Sequence, residues 1–533
     1  MSNITAAVGL SVMDKLHRES SWSKIGFVGS LTCLVLLDGV NGAMTSSLGR
    51  YLMGSFAATP DQITWATIIY YVSKLYALLL AARLQERVGQ RRALLGAATI
   101  LVVSTSVGAF ITDYPSLLAV ILVQAGAGGL VIALGQGALL MAFPRRDQPA
   151  VQPFFALASV MFPATMAPWF LGAFAYNLHW QHAYLWIVPF GLFASGWLFW
   201  NQHVLSDDTR AVPVPIAKIV LIVISLFAIV YTLQQGNRNR WLESPYIIWA
   251  LLLAAVCLLG IAFTESDGGP TYLPYRAFRY ANFAFGFSTA MLAGIAFLGG
   301  GSVISGYTAG VMTYTAFDSG LVQLSGAAFT TVALFAGGLA IRFTRFPGIL
   351  VIYGGQILFS IAMWNLGQAP SNIHFEGMLP WLMLRGFALG CQFLPITLMT
   401  LTCLPAEDDV AAAGMFNFSR QFGALIGVAW LQTLREHLVD RNQTIFGNAL
   451  TAINPNAINY ARELQNALAA YGIDPAQTAP TASALMLHES SRQWLNISFN
   501  GCFQALSALF LFSFPLVILA RILTSRFLKP PSC

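Results

Sequence analysis

The chain has 533 residues, of which 56% are hydrophobic and 9% are charged, and its formal net charge is +6. Soluble domains carry about 25% charged residues, so this chain lacks the polar groups to cover a globular surface in water. The composition excludes a soluble enzyme and a disordered chain. It also excludes a nucleic-acid binder, because the cations flank apolar segments as they do in polytopic membrane proteins.

A membrane-crossing helix needs about 20 mostly apolar residues. Fourteen segments of the sequence meet this description, so we predict an all-α integral membrane protein. Asp38 interrupts the first segment and no small-residue cleavage site follows it, so we expect it to be a retained span rather than a signal peptide. The fourteen segments are 25–48, 62–82, 92–112, 116–142, 152–176, 183–202, 215–235, 245–264, 281–304, 318–341, 347–366, 378–403, 411–434 and 496–522.

The distribution of Lys and Arg between the loops predicts the orientation, because these residues accumulate on the cytoplasmic side. With the N-terminus inside, eighteen of them lie on cytoplasmic segments and three, Arg50, Arg238 and Arg240, lie in short outer loops. This bias indicates an even number of spans with both termini cytoplasmic. One missed span would invert half of the loops and remove the bias.

Polar stretches divide the chain into three parts. We predict an N-terminal six-helix bundle over 1–210, an extra helix pair with its linkers over 211–268, and a C-terminal six-helix bundle over 269–533. The segment 435–495 is expected to be an outer loop with one or two short helices, because Ala461, Leu464, Leu468 and Tyr471 recur at helical spacing. Two related bundles of this kind are typical of alternating-access transporters.

Four ionisable residues fall inside predicted spans, namely Asp38, Lys74, Arg385 and Arg420. Such groups cost roughly 2.5–3.5 kcal/mol to insert and usually face a cavity or a partner. Asp38 and Lys74 have opposite charges on neighbouring helices, so we expect that they can pair. The functional interpretation is a proton-titrating or substrate-binding site. The structural alternatives are a static pair, and for Arg420 a side chain that reaches the cytoplasmic interface.

Polar and aromatic residues in the spans could line a substrate cavity, although most residues of these types pack in a core or face lipid. The candidates are Asn41, Tyr70, Gln124, Gln136, Gln392 and Phe416. The six cysteines show no CxxC or Cys/His spacing, so we predict no metal site. The sequence has no GxxxxGK[ST], GxSxG or HExxH motif, so we expect neither direct use of ATP nor catalysis.

Five stretches of the sequence resemble the major facilitator superfamily, specifically its fourteen-span EmrB/QacA-type drug–proton antiporters. The resemblance extends over nearly the whole chain and includes the Asn454-Pro455-Asn456 segment of the outer loop. Leu37–Asn41 is similar to the family's first-span signature, and Thr59–Trp65 is similar to its second-span entry. Leu84–Arg92 is similar to the cytoplasmic loop motif. His179–Gly191 is similar to the start of the sixth span, and Phe416–Gly427 is similar to the thirteenth-span motif.

This resemblance implies export of small amphipathic compounds across a bacterial inner membrane, driven by inward proton flow and with no cofactor other than the proton gradient. In proteobacterial members it also implies docking to a periplasmic adaptor and an outer-membrane channel. Asp38 would be the proton-linked acid of the first span, and Arg420 would belong to the span-thirteen motif. The remaining carried-over residues are the gating loop Glu86, Arg87, Gly89 and Arg91, and the antiporter bend Pro168 and Gly172.

The sequence departs from the family pattern at several positions. Ile121 stands where the fourth-span motif has an arginine, and Ala167 and Leu171 replace glycines of the span-five motif. We hypothesise that Lys74, on another span of the same bundle, supplies the missing cation. Two other functions stay open at this point: an importer or facilitator of the same superfamily, and a non-transporting membrane scaffold or sensor.

Overall fold

The computed structural model describes residues 21–205, 209, 216–266, 275–344, 347–402, 404–405, 408–450 and 454–528. This described part is helical, with turns between the helices, and it contains no β-strand. The all-α prediction is therefore confirmed. The predicted junctions at 210–211 and 268–269, together with Cys403, Arg210 and Arg345, lie outside the described residues.

The first six predicted spans form the N-half. Its helices are α1 (Ser21–Phe56), α2 (Pro60–Val88), α3 (Gln90–Gly108), α4 (Tyr114–Ala142), α5 (Gln148–Ala156), α6 (Ala167–Asn177) and α7 (Gln181–Trp200). A π-helix, Leu157–Met166, joins α5 to α6, so these three pieces form one continuous span.

The extra helix pair and the C-half follow. The pair consists of α8 (Ile216–Gln235) and α9 (Pro245–Ser266), and the C-half consists of α10 (Ala281–Gly294), a π-helix (Ile295–Gly299), α11 (Gly300–Gly310), α12 (Ala316–Thr344), α13 (Gly348–Leu366), α14 (Phe375–Leu401), α15 (Asp409–Ala449), α16 (Pro455–Ala470) and α17 (Pro475–Phe527).

Within the described ranges, twelve helices are long and apolar enough to cross a membrane. The predicted spans 92–112 and 411–434 are not among these twelve, although both are helical, as α3 and α15. Polar residues of these two helices are buried against protein, as Thr105 and Asn417 show, and this lowers hydropathy without exposing polar groups to lipid.

Each half has its own apolar core. One buried cluster draws on α1 to α7 and takes in Val410 from α15. A second draws on the π-helix Ile295–Gly299, α11 to α15 and α17, and takes in Met161 from the fifth span. A third cluster joins α2, α8, α10 and α15, so the extra helix pair packs beside the interface between the halves.

One end of the helical bundle carries most of the loop arginines, and we call it the arginine-rich face. Ser23 at the start of α1 bonds to Asn201 after α7, and Arg521 near the end of α17 bonds to Asn282 at the start of α10. Both ends of the described chain therefore lie on this face, as an even number of spans requires. Its loop cations are Arg83, Arg87, Arg91, Arg92, Arg145, Arg146 and Arg342.

The segment 435–495 differs from the predicted loop, because most of it continues the neighbouring helices. α15 runs to Ala449 and α17 begins at Pro475, while α16 confirms the short helix between them. At about 1.5 Å per residue, α17 is about 80 Å long, far more than a hydrocarbon core of about 30 Å requires. The excess length of α15 and α17 forms a helical projection on the face opposite the arginines.

Candidate substrate cavity and charged site

A cavity of about 600 Å³ lies between the two halves. Residues of α1, α2, the fifth span, α10 to α12 and α15 line it. Its lining extends from Lys74 and Arg420 in the middle of the bundle to Ser46, Arg50 and Ser302, whose side chains are exposed. The cavity is therefore open at the face opposite the arginines.

The arginine-rich end of the interface is closed by helices that touch. A Cβ atom added at Gly137 of α4 would lie 2.2 Å from Val410 Cγ2, and one at Gly414 of α15 would lie 2.3 Å from the Leu78 carbonyl oxygen. An ion pair between Asp147 and Arg342, 3.0 Å apart, crosses the interface at its surface. Glycine lets these backbones approach closely, so the described helices are in contact between the cavity and this face.

Asp38 and Lys74 meet at the cavity wall. Lys74 Nζ donates hydrogen bonds to Asp38 Oδ2 at 2.7 Å and to the Tyr70 hydroxyl at 2.6 Å. The exposed fractions are 2% for Asp38 and 3% for Lys74. The pairing that opposite charges predicted is present, and Tyr70, four residues before Lys74 on α2, is a partner that sequence reasoning placed in the cavity but not in the pair.

Gly128 of α4 provides the space for the Asp38 carboxylate. A Cβ atom at Gly128 would lie 1.7 Å from Asp38 Oδ1 and 2.5 Å from its Cγ. Asp38 Oδ1 itself is buried and accepts no hydrogen bond from the described residues. One carboxylate oxygen is therefore satisfied by Lys74, while the other faces a glycine surface.

Arg420 lies on the cavity from the C-half side. It is 4% exposed, and its Nη2 has no hydrogen-bond partner in the part of the chain that the structure describes. The guanidinium carbon lies 5.2 Å from the centre of the Phe393 ring, an arrangement typical of a cation–π contact. Its span begins at Asp409, yet the side chain turns to the cavity and does not reach the cytoplasmic interface.

Arg385 occupies a different environment in the same half. Its Nη2 donates to the Phe297 carbonyl oxygen at 3.1 Å, and its Nε is buried without a described partner. Phe297 belongs to the second π-helix, Ile295–Gly299, and its carbonyl also accepts from the Gly300 N–H. The structure therefore separates the four predicted charges into one pair, one cavity cation and one cation that bonds to a helix backbone.

A ladder of buried amides crosses the closed part of the interface. Asn417 Nδ2 donates to Gln136 Oε1 at 2.5 Å, and Gln136 Nε2 donates to Gln152 Oε1 at 3.4 Å. Gln152 then donates to Gln148 Oε1 at 3.1 Å. Of these residues only Gln136 was predicted as a cavity residue. The contact between Asn417 and Gln136 joins residues 281 positions apart, so no local sequence signal indicates it.

The other predicted cavity residues are buried away from the described cavity. Asn41 Nδ2 donates to Thr105 Oγ1 at 2.7 Å, and Gln124 Nε2 donates to the Ser104 carbonyl oxygen at 3.3 Å. Gln392 bonds to a backbone carbonyl of its own helix at 3.4 Å, and Phe416 is fully buried in the core beside α8. Hydrogen bonds between or within helices satisfy the amides, so of the six candidates only Tyr70 lines the cavity.

The predicted gating loop forms the sharp turn between α2 and α3. Gly89 has φ 92°, a conformation that favours glycine, and its N–H donates to Gln85 to end α2. Glu86 accepts from Arg83 at 2.6 Å, Arg87 is exposed, and Arg91 Nε donates to Gln202 at 2.8 Å. These contacts all lie within the N-half.

The predicted bend in the fifth span is a π-helix followed by Pro168. Gly172 lies beyond it, where a Cβ atom would come within 2.9 Å of the Ala316 backbone. Gly320 makes a similar approach to Trp169 from α12. The described residues include two π-helices, and both contribute to the cavity lining, through residues such as Val160, Pro163 and Phe297. Pro163, which the sequence reasoning did not assign to the bend, is inside the first of them.

Known proteins resemble this chain in sequence and in fold. A family model described as "Major Facilitator Superfamily" matches residues 31–428. The multidrug export protein EmrB of Haemophilus influenzae is 26% identical over 460 residues, covering 85% of this chain and 87% of that protein. The fatty acid resistance protein FarB of Neisseria gonorrhoeae is 22% identical over 495 residues, covering 92% and 95%.

Two further proteins show the extent of the similarity. The multidrug export protein EmrB of Escherichia coli K12 is 23% identical over 477 residues, covering 88% of this chain and 90% of that protein. The solved structure of the human organic anion transporter MFSD10 (TETRAN) superposes with a TM-score of 0.55 at 12% identity, covering 93% of this chain and 98% of that chain. At that identity the likeness concerns the fold alone.

Proposed function

Because this chain belongs to the Major Facilitator Superfamily, we propose that it is a secondary active exporter of hydrophobic or amphipathic compounds, driven by proton antiport through alternating access. The family and the EmrB relatives indicate a multi-pass membrane transporter of the drug efflux type, whose function is not enzymatic. Proton coupling, the direction of transport and the access mechanism are our proposals.

The observation that carries the proposal is a cavity between two halves that is open at one face and closed at the other. A transporter that exposes one site alternately to two sides of a membrane passes through such a state. The contacts that close the arginine-rich end are small-residue approaches and one surface ion pair, which can separate without unfolding either core. Rocking of the halves would then close the open end and open the other.

In this mechanism Asp38 carries the proton. With the cavity open to the outside, protonation of Asp38 removes its charge and leaves Lys74 bonded to Tyr70. After the halves have rocked, Asp38 loses the proton at the opposite side and pairs with Lys74 again. A buried carboxylate whose cation partner is held by a second group is suited to this exchange, because Lys74 keeps the Tyr70 hydroxyl as a hydrogen-bond acceptor when Asp38 is protonated.

We further propose that the arginine-rich face is cytoplasmic and that the membrane is the bacterial inner membrane, since cations of short loops accumulate on the cytoplasmic side. Both termini would then be cytoplasmic. The helical projection formed by α15, α16 and α17 would be periplasmic, where it could meet an adaptor that leads to an outer-membrane channel.

The test is a transport assay in inside-out vesicles with an imposed pH gradient, acid inside. We use anionic, neutral and cationic amphipathic dyes and compare wild type with Asp38→Asn. At least one dye should accumulate in wild-type vesicles and fail to do so after a protonophore is added or in Asp38→Asn. Asp440→Asn, an exposed acid on the extramembrane part of α15, is the matched control and should transport normally.

Three results would contradict the proposal. Accumulation that ignores the gradient would indicate a facilitator. Movement in the reverse direction would indicate an importer. No movement of any dye, by a correctly folded protein, would indicate a scaffold or sensor.

A further inference from the structure

The charges on the cavity wall are unbalanced. Three cations line it, namely Arg50, Lys74 and Arg420, and the lining contributed by the described residues holds neither Asp nor Glu. Asp38 neutralises Lys74 from behind the wall at 2.7 Å. Arg50 is exposed near the open end, where water solvates it. The excess positive charge deep in the cavity therefore belongs to Arg420.

The Arg420 guanidinium is buried and incompletely satisfied. Arg420 does not take part in any ion pair between described residues, and its Nη2 is without a hydrogen-bond partner among them. Phe393 contacts one side of the charge and fixes the guanidinium without supplying an acceptor. Buried charges in proteins are normally paired, and no described residue pairs with this cation, so a group bound in the cavity is the natural partner for it.

We propose that Arg420 binds the acidic head group of the transported compound, so that the cavity selects amphipathic anions such as carboxylates and sulfonates. This inference rests on the proposed export function and adds a substrate class to it. A guanidinium presents parallel N–H donors that match a carboxylate or sulfonate in a bidentate manner. The head group would then receive the hydrogen bonds that Nη2 lacks.

The surroundings of Arg420 suit the apolar remainder of such a molecule. Apolar side chains from both halves line the cavity next to the charge: Val160, Pro163, Ala164, Phe297, Leu298 and Val428. Ser159, Ser305 and Gln323 also line the cavity, and Gln323 donates to Ser305 at 2.9 Å. A flexible tail thus meets apolar side chains from three helical spans, while specificity comes from one charge, as is usual in ligand cavities.

The proposal is tested by binding of radiolabelled decanoate to purified, immobilised protein, with decanol and decyltrimethylammonium as competitors of equal chain length. Wild type should bind decanoate at least about tenfold more tightly than Arg420→Gln, because a hydrogen bond to a charged group is lost. Arg420→Lys should recover part of the affinity, since it keeps the charge without the fork. Decanol lacks the charge, so its inhibition constant should be the same for wild type and for Arg420→Gln.

Arg441→Gln is the matched control, because Arg441 is an exposed arginine on the same helix outside the membrane span. It should bind decanoate like wild type, and all variants should keep the thermal unfolding midpoint of wild type within a few degrees. Equal decanoate affinity in wild type and Arg420→Gln, or stronger competition by decyltrimethylammonium than by decanol, would overturn the anion proposal. If wild type still exports cationic dyes in a proton-driven manner, the exporter function stands. If wild type transports no dye, the exporter function itself is contradicted.

Discussion

Lys74 Nζ lies 2.7 Å from Asp38 Oδ2 and 2.6 Å from the Tyr70 hydroxyl, so one ammonium group joins α1 to its own helix at the cavity wall. The three side chains are buried. A buried ion pair gives little net stability, but removal of one partner is costly because the other charge is left unpaired. The presence of the pair is therefore weak evidence for a purely stabilising role.

Replacement of Lys74 by methionine should abolish proton-driven transport, because Asp38 would be left without its cation. Asp38 would then either stay ionised at a cost of about 3–5 kcal/mol or hold its proton permanently. We expect a lower thermal unfolding midpoint than that of wild type, because a buried charge loses its partner. The measurements are dye transport in acid-lumen vesicles and thermal unfolding of the purified protein.

The double variant Asp38→Asn/Lys74→Met separates stability from coupling. It should regain the stability that Lys74→Met loses, since no buried charge remains unpaired, but it should not regain proton-driven transport. If Lys74→Met transports as well as wild type, the hypothesis that Lys74 replaces the missing fourth-span arginine at Ile121 is wrong.

The fold and the ion pair could be predicted from the sequence because both depend on strong local signals. Apolar segments of sufficient length predict spans, and charges at membrane depth must find partners. Cavity residues were harder to predict. Asn41 and Gln124 are polar like true lining residues, but their amides bond to a neighbouring helix. Which face of an apolar helix meets a cavity depends on the packing of the other helices.

Glycines that make space for distant groups could not be assigned their roles either. Nothing near Gly128 in the sequence shows that Asp38, ninety residues earlier, occupies the space where a side chain would be. The projection beyond the membrane was also misjudged, because polar residues lower the hydropathy of α15 and α17 without ending the helices. Helix continuity there depends on capping and on contact with α16.

Gly128→Ala should disrupt the ion pair without changing any charge. The new Cβ would fall 1.7 Å from Asp38 Oδ1, so the carboxylate has to move and the contact with Lys74 lengthens. Overpacking of this kind typically costs about 1–3 kcal/mol, and we expect proton-driven transport to fall about tenfold or more as the pair is displaced. Initial rates of dye uptake in acid-lumen vesicles measure the effect.

Gly96→Ala is the control for this substitution, since no atom lies within 4 Å of its added Cβ. It should transport normally and gain slightly in stability, because alanine favours helix by about 1 kcal/mol over glycine. Equal transport by the Gly128 and Gly96 variants would show that the position of the Asp38 carboxylate does not matter for coupling.

Gly137→Ala should open the closed end of the interface. Its Cβ would lie 2.2 Å from Val410 Cγ2 and 2.9 Å from Val410 Cα, so α4 and α15 have to separate. Spin labels at the exposed positions Arg146 and Phe343, on opposite sides of the interface, measure the separation. We expect the distance distribution to shift to longer values, and Val410→Ala in the same chain should reverse part of the shift.

Gly337→Ala on α12 serves as the reference for that measurement, because its added Cβ meets no atom within 4 Å. Its distance distribution should match that of the parent protein. A Gly137→Ala distribution identical to the parent's would mean that α4 and α15 do not control closure at the arginine-rich face.

The stability of the protein should depend on pH through Asp409, the first residue of α15. Asp409 precedes the predicted span 411–434. Burial and the neighbouring Asp408 carboxylate raise the pKa of Asp409 from its ordinary value of 3.8 to about 7, against the opposing effect of Arg145. Because the pKa is higher in the folded protein than in the unfolded chain, the folded state binds the proton more tightly. Its stabilising contribution is complete below about pH 4 and is lost as pH rises through 7.

Asp409→Asn keeps the shape of the protonated acid at every pH and removes this dependence. Its unfolding midpoint should exceed that of wild type by a margin that widens from pH 5 to pH 7 and is constant above pH 8, because wild-type Asp409 is then ionised in both states. Thermal unfolding at pH 5, 6, 7 and 8 measures the margin, and Asp440→Asn, an exposed acid of the same helix, should show none. A margin that does not change with pH would show that Asp409 does not take up a proton in this range.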